Sequence, residues 1–240
     1  MRLHLLQLGL VGPNDRGLAI GTPCPGYLIQ TDDGTNVLVD TRLPAAEPGA
    51  DPPFWAAWLD ERDDVVSRLA ELGLAPHDIA VLVCTHFDFD HAGRHAVFPE
   101  AELVVQRRHH EVAREHPRFA ATRPQWDQPD RRWRFVEGDT TLLPGIELIE
   151  SSGHVAGLQT VLVRLPETGP VLLAIDAIAQ ASHLDPETRP IQAADMDESG
   201  VRATTRKLVD LARREGATLI VHGHDPDQWP TLRKFPDCYA

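Results

Sequence analysis

Disulfide chemistry has little to work with in this chain. Its 240 residues carry three cysteines, Cys24, Cys84 and Cys238. The number is odd, the spacing is wide, and there is no Cys-x-x-Cys. This excludes a disulfide framework and a structural zinc knuckle, and it suits a reducing compartment. Positive charge is scarce too: 23 lysines and arginines stand against 36 acidic residues, a formal net charge of −13. A nucleic-acid backbone or an anionic membrane needs a basic face, so neither is expected as a partner. Also missing is any apolar stretch approaching the ~20 residues of a membrane span. Met1-Arg2-Leu3-His4-Leu5-Leu6 begins with one positive charge, but Gln7 interrupts the apolar run, which does not read as a signal peptide. The expectation is a cytoplasmic protein acting on a small molecule. With 42% hydrophobic and 25% charged residues, a chain of this length can bury a sizeable core unaided.

What the chain does have is concentrated in one stretch, Cys84-Thr85-His86-Phe87-Asp88-Phe89-Asp90-His91-Ala92-Gly93. It follows an apolar run at residues 79–83 that is short, β-rich and flanked by polar residues, as a covered central strand is. Two histidines and two aspartates leaving a strand through a tight loop are what a cluster of divalent metals needs. The bland alternative is a polar loop that happens to contain histidines.

Along the chain, residues 3–10 read as a strand ending at Gly12-Pro13-Asn14-Asp15. Strands at 26–30 and 36–40 flank Asp32-Asp33-Gly34, a hairpin signal. Residues 44–53 are a proline- and alanine-rich loop. Residues 55–74 show helical periodicity through Val65, Leu69 and Leu72, ended near Gly73. Residues 102–105 read as a strand and 107–115 as a helix. His109, His110 and His116 lie there without carboxylates at ligand spacing, so surface or packing roles are expected. Residues 117–134 read as a long loop that covers a site. Strands follow at 133–136, 146–149, 160–165 and 171–175. A helix carrying Val201, Thr205, Leu208 and Ala212 ends at Gly216, and a last strand spans 219–221. Trp55, Trp126, Trp133 and Phe119 read as ordinary packing, with a pocket wall or a homodimer contact as alternatives. Strands and helices mix without a break in composition, which predicts one α/β domain over 1–240.

Three more segments turn the motif into a constellation. His154 sits in a glycine-bounded turn, Ser152-Gly153-His154-Val155-Ala156-Gly157. Asp176 ends an otherwise apolar strand, where an unpaired carboxylate is costly. His224 follows the last strand in Gly223-His224-Asp225. A strand-end Asp or His taken alone is more often a cap or turn residue; four strand exits together point to one metal centre at the edge of a sheet.

The motif resembles the His-x-His-x-Asp-His pattern of the metallo-β-lactamase superfamily, in the form His-x-Asp-x-Asp-His. Order and spacing match from Cys24-Pro25-Gly26-Tyr27-Leu28-Ile29 to the C-terminus. Val104-Val105-Gln106-Arg107, Glu137-Gly138-Asp139, Leu143-Pro144-Gly145, Ile175-Asp176-Ala177 and Phe235-Pro236 are similar to the N-acyl-homoserine lactonase branch, the quorum-quenching lactonases. The resemblance implies an α/β (α+β) fold, a four-layer αββα sandwich, and two divalent metal ions. His86, Asp88 and His154 would hold one ion, and Asp90, His91 and His224 the other, with Asp176 bridging. Asp90 would also be the catalytic group, orienting the nucleophile and passing a proton to the leaving group. His224 is chosen over His222 because the family's last ligand lies in a Gly-His-Asp or Ser-His-Asp tripeptide.

Four departures stand out. Asp88 replaces a histidine, which makes the centre less positive and shifts preference from zinc, the expected ion, towards iron or manganese. Ala179 stands where such lactonases place a tyrosine on the substrate carbonyl. Leu158 replaces the second histidine of Pro-Gly-His-x-x-Gly-His. Asp40-Thr41-Arg42 replaces Asp-Thr-Gly. The resulting expectation is a metal-dependent hydrolase of a small ester or lactone. The alternatives are a non-haem iron oxidoreductase on the same scaffold, suggested by Asp88, and a non-catalytic ligand-binding relative.

Overall fold

The computed structural model describes residues 1–11, 22–43 and 63–240. β1 (Arg2–Val11), β2 (Thr22–Gln30) and β3 (Asn36–Val39) form an antiparallel meander. Its hairpin turns at Asp32-Asp33-Gly34, where Gly34 takes a φ of 86° that a side chain would resist. Then come α1 (Val65–Glu71), β4 (Val81–Val83), the short α2 (Phe89–Ala92), β5 (Glu102–Gln106), α3 (Arg107–Glu115), α4 (Arg123–Trp126) and β6 (Trp133–Val136). β3, β4, β5 and β6 are parallel neighbours, which completes a six-stranded sheet in the order β1-β2-β3-β4-β5-β6.

The chain then passes to a second sheet, made of β7 (Thr140–Leu143), β8 (Ile146–Glu150), β9 (Gln159–Leu165), β10 (Gly169–Ile175) and, after α5 (Glu198–Glu215), β11 (Leu219–His222). Its order is β11-β10-β9-β8-β7, antiparallel except for the β10–β11 pair. β7 went unread in the sequence, where Thr140-Thr141-Leu142-Leu143 is short and lies between Gly138 and Pro144. The strands at 133–136 and 146–149 therefore belong to different sheets.

Side-chain alternation builds the layers. Val81, Val83, Val104, Val161, Val163, Val171 and Leu173 share one apolar cluster, which joins the facing surfaces of the two sheets. Their neighbours Leu82, Leu103, Leu162 and Leu172 belong to another cluster, with Val65 and Leu69 of α1 and Leu208, Leu211 and Ala212 of α5. Valines predominate among these inter-sheet positions, and the leucines named face the helices. This is the expected αββα arrangement. Among the described residues no helix is long and apolar enough to cross a membrane. Residues 12–15, 44–53 and 55–62, the last being the first part of the segment 55–74 expected to be helical, lie outside the described residues.

Candidate metal centre

Four strands release functional side chains at one edge of the sandwich. β4 leads into His86, Asp88, Asp90 and His91, β8 into His154, β10 into Asp176 and β11 into His224. The motif is not wholly a loop, because Asp90 and His91 fall in α2. Asp88 holds the N-cap position of α2, yet its carboxylate makes no capping bond and turns inward. Ile175 adopts φ 49°, costly for a β-branched residue by about 1–3 kcal/mol. That kink, with a register shift between β10 and β11, turns Asp176 out of the ladder. Gly223 leaves room for it: a Cβ there would lie 2.6 Å from the Ile175 carbonyl oxygen. Asp40, just past β3, also takes a positive φ of 58°, and Arg42 one of 85°. The chain thus keeps at Arg42 a left-handed backbone that glycine ordinarily supplies.

All seven expected donors converge. His86 Nε2 lies 3.2 Å from Asp88 Oδ2, and His154 Nε2 lies 3.3 Å from that same oxygen and 3.4 Å from Asp176 Oδ2. On the other side His91 Nε2 and His224 Nε2 lie 3.2 and 3.0 Å from Asp176 Oδ1. Asp90 Oδ2 is 3.5 Å from His224 Nε2 and 3.7 Å from His91 Nε2. His222 is elsewhere: its Nδ1 donates to the Ile178 carbonyl at 3.1 Å.

The four site imidazoles are oriented alike. His91 Nδ1 donates to Asp40 Oδ2 at 2.8 Å, His154 Nδ1 to Asp195 Oδ1 at 2.9 Å and His224 Nδ1 to the Pro23 carbonyl at 2.8 Å. Thr85 Oγ1 donates to Asp40 Oδ2 at 2.6 Å and so accepts from His86 Nδ1 at 3.1 Å. Each Nε2 is thereby turned to the interior, as metal-binding histidines are held by outer partners. His109 fixes the loop itself. Its Nε2 accepts from Phe87 N at 2.9 Å while its Nδ1 donates to the Ala156 carbonyl at 2.8 Å. It is fully buried and stacks on Phe87.

Charge is unevenly placed. Burial raises the Asp90 carboxyl. Burial opposes ionisation of Asp176, but His224 and His91 hold it well below the usual carboxylate range. Burial likewise opposes charge on His224, yet Asp176 and Asp90 raise it to about 9. His91 is raised by Asp90, Asp176 and Asp40 against the same penalty. Burial, then His91, lowers His86 to about 3. The Asp90, His91, Asp176 and His224 side therefore draws in positive charge, which is what a divalent ion supplies. The donors fit one on a second count: His86 Nε2, His91 Nε2 and Asp176 Oδ1 are buried with no hydrogen-bond partner, a costly state unless an ion completes them.

Several participants were not found in the sequence. Asp40 and Asp195 orient ligands from loops, and Pro23 does so from the start of β2. Cys24 places its sulfur within 4.8 Å of donor atoms of Asp90 and His224. Arg118, from the segment expected to be a covering loop, pairs with Asp88. That segment is not all loop, since it holds a 3₁₀ turn (Pro117–Phe119) and α4. The centre opens into a cavity of about 780 Å³ bordered by Thr22, Phe89, Gln180, Gln192 and Ala194.

Two facing mixed sheets with a histidine–aspartate cluster at one edge mark a class of metal-binding αββα proteins, and the chain belongs to the metallo-beta-lactamase superfamily, whose family model matches residues 19–224. Within it the chain is 33% identical to the N-acyl homoserine lactonase AttM of Azorhizobium caulinodans, over all of this chain and 98% of that one. It is 27% identical to the N-acyl homoserine lactonase AiiA of Bacillus thuringiensis subsp. kurstaki, over 92% and 88% of the two chains. An N-acyl homoserine lactone hydrolase solved with N-hexanoyl-L-homoserine at its catalytic metal centre superposes with a TM-score of 0.85, at 25% identity over 99% and 98%.

Proposed function

We propose that the chain hydrolyses the ring ester of an N-acyl homoserine lactone, with divalent metal held by the clustered histidines and aspartates. One observation carries this reading. In a chain similar along its whole length to N-acyl homoserine lactonases, the orphaned Nε2 of His91 and Oδ1 of Asp176 converge with Asp90 and His224 beside a cavity of about 780 Å³. Asp90, His91, Asp176 and His224 would hold the ion; His86, Asp88 and His154 form a neighbouring donor group into which Arg118 reaches. A divalent ion bound there supplies a water of lowered pKa and a Lewis acid for the ester carbonyl.

The chain's own groups do the rest. Asp40 and the Pro23 carbonyl keep His91 and His224 as Nε2 donors. Asp90, a buried carboxyl with a raised pKa, takes the proton of the attacking water and returns it to the ring oxygen as the ester bond breaks. Gln180 and Gln192 at the cavity wall offer amides to the substrate's own amide, and Ala179 supplies no hydroxyl. Because Asp88 is engaged by Arg118, its preference for iron or manganese loses its basis, and zinc is the ion we propose. The working unit is one domain spanning 1–240, placed in the cytoplasm, with a homodimer as its assembly.

The test is incubation of zinc-loaded protein with N-hexanoyl homoserine lactone, followed by mass spectrometry. The product should be heavier by one water, formation should stop on chelation, and zinc should restore it. Intact lactone in the presence of zinc-loaded protein would refute the reading.

A further inference from the structure

Arg118 follows Pro117 in a 3₁₀ turn fixed at both ends. His116 Nδ1 accepts from Arg118 N at 3.2 Å, and the buried Phe119 ring packs edge-on to His109. From there the guanidinium enters the His86, Asp88 and His154 group. Nε donates to Asp88 Oδ1 at 2.7 Å and Nη2 to Asp88 Oδ2 at 2.5 Å. Nη2 also lies 2.9 Å from His154 Nε2, and Nη1 donates to the Ala194 carbonyl. With all three nitrogens engaged, two of them in a fork on one carboxylate, the group is held in place.

Two arguments set this cation against a metal ion. The first is donor capacity. His154 Nδ1 already donates to Asp195, so its one remaining lone pair, on Nε2, either accepts the guanidinium N–H or binds metal. A guanidinium can only donate, so the 2.9 Å contact uses His154 Nε2 as its acceptor. The second is charge. Arg118 neutralises Asp88, which leaves Asp90 and Asp176, whose two charges match one divalent ion rather than two.

We infer that Arg118 takes the place of one metal ion: the centre holds a single divalent ion among Asp90, His91, Asp176 and His224, and a fixed guanidinium in the other half. This rests on the metal-dependent reading above and deepens it. The guanidinium borders the substrate cavity and stays charged throughout the working pH range. It therefore sets a permanent positive charge beside the substrate in a chain whose tyrosine position is Ala179.

The test is elemental analysis of full-length protein saturated with zinc and desalted. Wild type should retain one zinc per chain. Arg118→Met, which keeps bulk and removes charge, should retain two, as should the double variant Asp88→His/Arg118→Met. Two zinc ions in wild type would overturn the inference and leave the metal-dependent reading standing, as would a count of one in both folded variants. No zinc in any of them would overturn both. The wild-type count needs no variant to fold.

Discussion

The two halves of the centre are built from nearly the same residue types and end in opposite states. In one, His91, His224 and Asp176 face each other at 3.0–3.2 Å, with buried atoms left without partners and histidines pulled towards the charged form. In the other, Asp88 and His154 are answered by Arg118 at 2.5 and 2.9 Å, and His86 Nε2 is the one donor of the three left without a partner. Outer support is similar on both sides, Asp40 behind His91 and Asp195 behind His154. What differs is the source of the cation. Convergence of ligand-type side chains therefore does not by itself count metal ions; the charge balance and the free lone pairs do.

The largest effect should come from breaking the half that needs an ion. Asp176→Ala removes the carboxylate shared by His91 and His224 and should reduce lactone turnover to the uncatalysed background, with zinc lost on elemental analysis. Next is Asp90→Asn, which keeps shape but cannot relay the proton. It should lower kcat by roughly 10²–10⁴-fold, read by steady-state kinetics at saturating zinc.

A matched pair of outer substitutions sharpens the contrast. Asp40→Asn weakens the support of His91 and should reduce zinc affinity about 10- to 100-fold in competition with a chelating dye. Asp195→Asn acts on a histidine that faces the guanidinium and should leave zinc affinity within about twofold. Equal losses would make the halves equivalent.

The smallest effect concerns stability. Burial lowers the fully buried His109 imidazole from 6.5 to about 4, so the folded state binds its proton less readily than the unfolded state. The stability this confers is fully present above about pH 6.5 and drains away as pH falls towards about 4. Between about pH 8 and about pH 5 this is worth roughly 2 kcal/mol. His109→Leu should lose about that much less than wild type over this range in urea unfolding. At about pH 8 it should be less stable by about 1–3 kcal/mol, because Phe87 N–H loses its acceptor.

The strands and the donors were legible in the sequence for one reason: buried strands here are short apolar runs, and each donor follows directly on one of them. Ile79 to Val83 before His86, and Leu219 to Val221 before His224, needed only local periodicity. β7 was hidden because its four residues, close between a glycine and a proline, carry no period. Arg118 was hidden because its partner is 30 residues away, and nothing in Pro117-Arg118-Phe119 marks an inward-facing side chain. One signal did exist. A buried aspartate in place of a histidine creates a negative charge that something must balance, and the segment expected to cover the site is rich in arginine. His109 was readable as a packing residue, but its bond to Phe87 N depends on where α3 lies, which only the packed structure gives.

The most direct measurement is an anomalous difference map at the zinc edge from a crystal of wild-type protein grown with excess zinc. One peak per chain among Asp90, His91, Asp176 and His224, with guanidinium density between Asp88 and His154, is the predicted result. A second peak among His86, Asp88 and His154, with Arg118 displaced, would contradict it.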